Sequence, residues 1–250
     1  MTIQILEKKT VPAMKFEVKK AKMELGYYMR QKSQVEAIYD ISGSTEFNEN
    51  RFYSGGIMAG LSRRILALAL TLDDDGQVPV YTFNSDVQRL REPMTETNLD
   101  TYVDRHIRVG GGTKYAPFIR RIAADAQAGD PILALVFTDG DNDDPREAEQ
   151  AIREAAELPI FWMFFGIFGK GRPPAFTFLK KLDELSGRKI DNAGFMELGL
   201  YDISDAELYA SMLREYKDYP AKAKAAGLLD SNGKWNGRRQ STGLGGLFRR

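Results

Sequence analysis

Two periodicities alternate along this chain. Residues 35–39, Val-Glu-Ala-Ile-Tyr, form a short apolar run that ends at Asp40 and the turn residues Ser42, Gly43 and Ser44. That is the pattern of a buried strand opening into a loop. Residues 53–72 then repeat apolar side chains at helical spacing, with Ile57, Leu61, Ile65, Leu68 and Leu72 on one face. Asp73-Asp74-Asp75-Gly76 stops that helix, with Gly76 as its expected C-cap. The alternation continues with strands expected at 78–83, 132–137, 160–167 and 189–197, and a hairpin partner at 87–90. Helices are expected at 98–106, 115–127, 145–157, 176–185 and 204–216, with Pro117 in a first turn and Ser204 as a cap. Continuous apolar strands between amphipathic helices predict an α/β fold, a doubly wound, mostly parallel central sheet flanked by helices on both faces.

The two ends depart from this alternation. Residues 1–32 are polar and lysine-rich; Ile3, Ile5 and Val11 hint at a short strand, the rest fits either a strand or a helix, and the segment is expected to be an extension on the edge of a domain spanning 33–219. Residues 220–250 are rich in Gly, Lys, Arg, Ser and Asn. They predict a short helix at 221–229 and a basic, largely disordered tail from Asp230 onward. Length and composition add exclusions. A chain of 250 residues fits one large domain with extensions. The 35 basic and 35 acidic residues cancel, so no global field recruits nucleic acid or an anionic membrane. With no cysteine there is no disulfide and no thiolate metal site, and the single histidine, His106, excludes imidazole-rich sites. Residues 1–30 hold no apolar stretch of signal-peptide length, and the most apolar runs fall short of the roughly 20 residues that span a bilayer. The expected location is cytoplasmic.

The candidate chemistry collects at strand ends. Ligands on such sheets bind beyond the carboxyl ends of the strands, where Asp40 and Asp139 both fall. Asp40, Ser42 and Ser44 are spaced two apart, so in an extended or gently turned backbone they point the same way. Mg²⁺ prefers six oxygen ligands at about 2.1 Å and usually keeps some water. One carboxylate and two hydroxyls converge from this loop, Thr113 can add a third hydroxyl from the loop Gly110-Gly111-Gly112, and Asp139 a second carboxylate. This set leaves a position open for a carboxylate from elsewhere. The glycine loop is no phosphate cradle, because no Lys-Ser/Thr follows in P-loop spacing. Asp141, Asp143 and Asp144 are expected to be a solvated loop and a cap for the next helix.

Asp40-x-Ser42-x-Ser44, then Gly112-Thr113, then Thr138-Asp139-Gly140 resembles the metal-ion-dependent adhesion site of the von Willebrand factor A family over roughly residues 33–216. Tyr53-Ser54-Gly55-Gly56, the helix around Arg63-Arg64-Ile65-Leu66 and Val80-Tyr81-Thr82-Phe83 resemble the bacterial A domains of tellurium-resistance and stress-response operons, and copine A domains. The resemblance implies a doubly wound sheet, Mg²⁺ or Mn²⁺ (Ca²⁺ as a further alternative) held by Asp40, Ser42, Ser44, Thr113 and Asp139, and a protein partner that presents an Asp or Glu to the metal. No catalytic residue is expected. The alternative is a Mg²⁺-dependent phosphohydrolase of the haloacid-dehalogenase type, with Asp40 as nucleophile. Such an enzyme needs an acidic general acid two residues on, where Ser42 stands and cannot deliver a proton at neutral pH. A receiver domain would need an acidic pair at the end of the first strand, where Ile38 and Tyr39 precede Asp40.

Overall fold

A computed structural model describes residues 10–26, 32–47, 51–73, 75–140, 142–169, 174–199 and 203–237. In chain order its elements are helix α1 (Val11–Glu24), strand β1 (Gln34–Asp40), a 3-10 turn (Gly43–Glu46), α2 (Ile57–Leu72), β2 (Val80–Phe83), β3 (Val87–Arg89), α3 (Leu99–His106) and α4 (Ala116–Asp125). There follow β4 (Ile132–Thr138), α5 (Pro145–Ala155), β5 (Ile160–Phe168), α6 (Thr177–Asp183), β6 (Ala193–Gly199), α7 (Asp205–Tyr216) and α8 (Tyr219–Ala225). The six strands are ordered β3-β2-β1-β4-β5-β6 and pair in parallel, except for the antiparallel hairpin of β2 and β3 at one edge. This is the doubly wound α/β sheet that the alternation predicts.

Burial explains why β1, β4 and β5 read as unbroken apolar runs. Every residue of β4 is buried, as are all of β5 but the last and all of β1 but the first. Their two faces meet different helices. Tyr39 shares a hydrogen bond with Ser62 of α2 at 2.8 Å. Phe161 packs on Tyr216 of α7, whereas its neighbour Trp162 turns to Phe118 of α4. Helices α1, α2, α3 and α7 thus form one layer, and α4, α5 and α6 the other. From β1 the chain steps outward to β2 and β3, then returns to β4 and proceeds to the opposite edge. The helices that follow β1 and β4 therefore leave on opposite faces. A crevice opens between them at the carboxyl ends, the position where doubly wound sheets take ligands.

Several local expectations change. The Val11 strand is instead the start of α1, which has Pro12 in its first turn and buries Met14, Val18 and Ala21 against α2 and α7. Those three recur at helical spacing; Ile3 and Ile5 lie outside the described residues. Helix α2 ends at Leu72 with Asp73 as C-cap, so Gly76, at φ +74°, serves the next turn and does not cap the helix. Helix α8 starts at Tyr219, two residues earlier than the expected helix, with Pro220 in its first turn. Residues 230–237 are not disordered. Trp235 is buried and exchanges two backbone hydrogen bonds with Gly129, at 2.9 and 2.7 Å, beside the amino end of β4. One large apolar side chain outweighs the polar composition around it. The remainder of the basic tail, with Arg238, Arg239, Arg249 and Arg250, lies outside the described residues, as do Asn48-Glu49-Asn50, Asp74, Asp141 and Lys170-Gly171-Arg172.

Candidate metal centre

The site starts from the last residue of β1. Asp40 is 1% exposed, and both of its carboxylate oxygens are engaged. Oδ1 accepts the Ser42 backbone N–H at 2.8 Å, and Oδ2 accepts the Thr138 hydroxyl from the end of β4 at 2.6 Å. The 3-10 turn that follows carries Ser44 back toward Ser42, their hydroxyls 3.1 Å apart. Ser44 in turn donates to Asp139 Oδ1 at 3.0 Å, across a separation of 95 residues. Asp40, Ser42, Ser44 and Asp139 therefore form one connected polar group spanning the point where strand order reverses. The turn is pinned from outside. Glu46 accepts the Tyr53 and Ser54 backbone N–H groups and the Ser54 hydroxyl, while the Tyr53 hydroxyl donates to the Asp40 carbonyl.

Thr113 reaches the same crevice by another route. The glycine loop is sewn to the first loop by Gly43 N–H to Gly111 O at 3.1 Å and Gly110 N–H to Ile41 O at 2.8 Å. Asp143 then clamps the loop from the far side, accepting the Thr113 N–H at 2.8 Å and donating its own N–H to Thr113 O at 2.7 Å. Among the described residues no hydrogen bond joins the Thr113 hydroxyl to the other four candidates. The clamp explains Gly112, where a Cβ would lie 2.6 Å from Asp143 Oδ2. Asp143 is thus a loop tether and not only a solvated acid. Asp144 does not cap its own helix α5. Its oxygens accept the Tyr115 and Ala116 N–H groups at 2.8 and 3.0 Å, satisfying the open end of α4. Sequence spacing carries no sign of these contacts, which join residues about 30 positions apart.

The surroundings of Asp40 perturb its charge. Burial, and then the neighbouring Asp139 charge, push its carboxyl up to about 7, against the opposing hydrogen bonds from Ser42 and Thr138. No ion pair to Asp40 occurs among the described residues, and the largest causes of its shift include no basic group. A buried carboxylate without a basic partner, a half-buried second carboxylate and the hydroxyls between them are oxygen donors suited to a hard divalent cation. The donor set fits Mg²⁺ or Mn²⁺ chemically, with Asp40, Ser42, Ser44 and Asp139 already gathered and Thr113 on the adjoining loop. No group of three His, Cys, Asp or Glu side chains able to hold a metal occurs among the described residues. Hydroxyls must therefore supply part of any coordination here.

Comparison with known proteins gives consistent relatives. The family model described as "vWA found in TerF C terminus" matches residues 32–229. The uncharacterized protein YcbR of Bacillus subtilis (strain 168) is 31% identical over 208 residues, covering 79% of this chain and 81% of YcbR. Among solved structures, the conserved hypothetical protein BatB from Bacteroides thetaiotaomicron is 16% identical, with a TM-score of 0.50, covering 77% of this chain and 99% of BatB. Proximal thread matrix protein 1 from the mussel byssus is 14% identical, with a TM-score of 0.53, covering 76% of this chain and 47% of that one. At these identities the two structures bear on the fold alone.

Proposed function

This chain belongs to the vWA-TerF-like family, and on that premise we propose that it is a Mg²⁺-dependent protein-binding domain without catalytic activity of its own. The observation that carries the reading is the buried Asp40 carboxylate beside Asp139, bridged by the Ser42 and Ser44 hydroxyls at the reversal of strand order. When bound, the ion supplies an exposed positive charge able to attract a carboxylate from another protein. Asp40, oriented by Ser42 N–H and Thr138, would be the main anionic ligand. Ser42 and Ser44 offer hydroxyl oxygens, and Asp139 holds Ser44 and neutralises charge from the outer side. Thr113 joins from a loop whose position depends on Asp143. Ser42 stands where a phosphohydrolase needs an acid, which supports binding over hydrolysis. The resemblance to tellurium-resistance A domains supports, as part of this proposal, a role in a bacterial stress-response assembly in the cytoplasm. No helix among the described residues is long and apolar enough to cross a membrane.

The test is titration of Mg²⁺ into the full chain by calorimetry, followed by affinity capture with Mg²⁺ or EDTA. Saturable Mg²⁺ uptake and a partner retained only with Mg²⁺ are expected, both lost in Asp40→Ala with the fold intact by circular dichroism. Capture that is equal in Mg²⁺, in EDTA and by Asp40→Ala would reject the reading. Mg²⁺-dependent phosphatase turnover by wild type would reject the non-catalytic part.

A further inference from the structure

Three large apolar side chains stand exposed among the described residues, and two of them, Phe16 and Met23, lie on α1. The third, Phe47, closes the 3-10 turn at the metal mouth and is 67% exposed. A phenyl ring left in water beside a polar site is an unused apolar surface. Its position is defined by the backbone, since Phe47 N–H donates to Ser44 O at 3.2 Å. The ring lies against Gly43: a Cβ there would come within 3.1 Å of Phe47 Cε2 and 3.7 Å of the Gly111 carbonyl. Gly43 itself sits between the two hydroxyl donors, Ser42 and Ser44. Phe47, Gly43 and Gly111 therefore make a low ledge with a ring at one end and the candidate ligands along its side. On the other side the rim is polar, with Ser85 and Asp143 crowding Gly112.

We propose that Phe47 and the Gly43–Gly111 ledge form an apolar subsite that selects a protein partner whose metal-binding Asp or Glu is flanked by an aliphatic side chain. This rests on the metal reading above and adds the partner's local chemistry to it. A carboxylate that approaches the metal carries its neighbouring side chains onto the ledge. A flanking acid would add negative charge to a mouth that already carries Asp139 and Asp143. An uncharged apolar neighbour avoids that repulsion and gains by covering the exposed ring, which a polar or charged neighbour does less well.

The experiment uses the full chain and three fluorescent nonapeptides with the same central Asp, flanked on both sides by Leu, by Gly or by Lys. Mg²⁺ uptake is measured by calorimetry, and peptide binding by anisotropy in Mg²⁺ and in EDTA. In Mg²⁺ the Leu-flanked peptide should bind about 10-fold more tightly than the Gly-flanked one. Phe47→Ala should bring that ratio to within about twofold while Mg²⁺ affinity stays at the wild-type value, and Phe47→Leu should keep most of the preference. Mg²⁺ uptake with no peptide binding, with equal Leu and Gly binding, or with the Lys-flanked peptide tightest overturns this inference and leaves the metal reading standing. So does a Leu preference that survives Phe47→Ala. Wild type that takes up no Mg²⁺ overturns the metal reading and this inference with it.

Discussion

Asp40 and Glu36 are two acids on one strand, four residues apart on the same face of β1, and both are buried. Burial raises both carboxyls, Asp40 to about 7 and Glu36 to about 8. Their surroundings differ. Asp40 has a hydrogen-bond donor on each oxygen and a second carboxylate next to it. Glu36 Oε2 has no hydrogen-bond partner among the described residues, and the nearby Arg89 draws its carboxyl down while Asp125 pushes it up. Burial alone therefore perturbs a carboxylate anywhere in a sheet. What distinguishes a site is the convergence of further oxygens, at the strand end where the two halves of the sheet diverge. Glu36 resembles a neutral core acid; Asp40 has the environment of a ligand.

Removing each charge should separate the two roles. The largest effect is expected for Asp40→Asn, which should weaken Mg²⁺ binding by about 10³-fold in calorimetry. In EDTA above pH 7 the same substitution should raise the melting temperature, because it removes a buried charge next to Asp139. Loss of stability in EDTA together with unchanged Mg²⁺ affinity would make Asp40 a structural residue like any other. Glu36→Gln comes next and acts on stability alone. The folded chain holds the Glu36 proton more tightly than the unfolded chain does, so wild-type stability should fall as pH rises from the ordinary Glu range to about 8. At pH 7 the cost is on the order of 3 kcal/mol, and Glu36→Gln should recover it while leaving Mg²⁺ affinity unaltered. Urea titrations at pH 5 and pH 7 read this directly, and parallel curves for the variant and wild type would contradict it.

Proton competition gives a smaller, graded effect. Below about 7 Asp40 is increasingly protonated, so wild-type Mg²⁺ affinity should drop by about tenfold per pH unit. A flat profile between pH 5 and 7 would place the main ligand elsewhere. Finally, Thr138→Val removes the donor to Asp40 Oδ2 yet suits a buried strand, and Tyr115 keeps its bond to Gly140 O. Mg²⁺ affinity should fall by about tenfold with the fold retained. Unchanged affinity would show that Thr138 does not orient Asp40.

Much of this architecture was legible because it rests on local periodicity. The sheet strands read as apolar runs because two helical layers bury both faces, and Ser204 reads as a cap because Glu207 lies three residues on and completes a capping box. Asp40, Ser42, Ser44 and Asp139 were legible because each sits in or beside a strand end, where direction is fixed by the sheet. Thr113 was only half legible. Its loop was visible in three glycines, whereas its tether to Asp143 depends on how two loops meet in space. The same holds for Asp144, which lies at the start of α5 yet serves α4. Helix α1 stayed open between strand and helix because lysines mask the spacing of Met14, Val18 and Ala21, and the fold of residues 230–237 was missed because it rests on contacts of Trp235 and Lys234 with Gly129 and Asp130, about 100 positions away.

The clasp between Trp235 and Gly129 has a mechanical consequence. Gly129 lies just before β4 and Asp139 just after it, so a load applied between the candidate site and Gly237 would run lengthwise along the central strand. The ladders of β4 with β1 and β5 would carry that load in shear, many hydrogen bonds at once. The clasp is held by two backbone bonds, a buried indole and the Lys234–Asp130 ion pair at 2.7 Å. Set against those ladders, it is the element expected to open first under such a load.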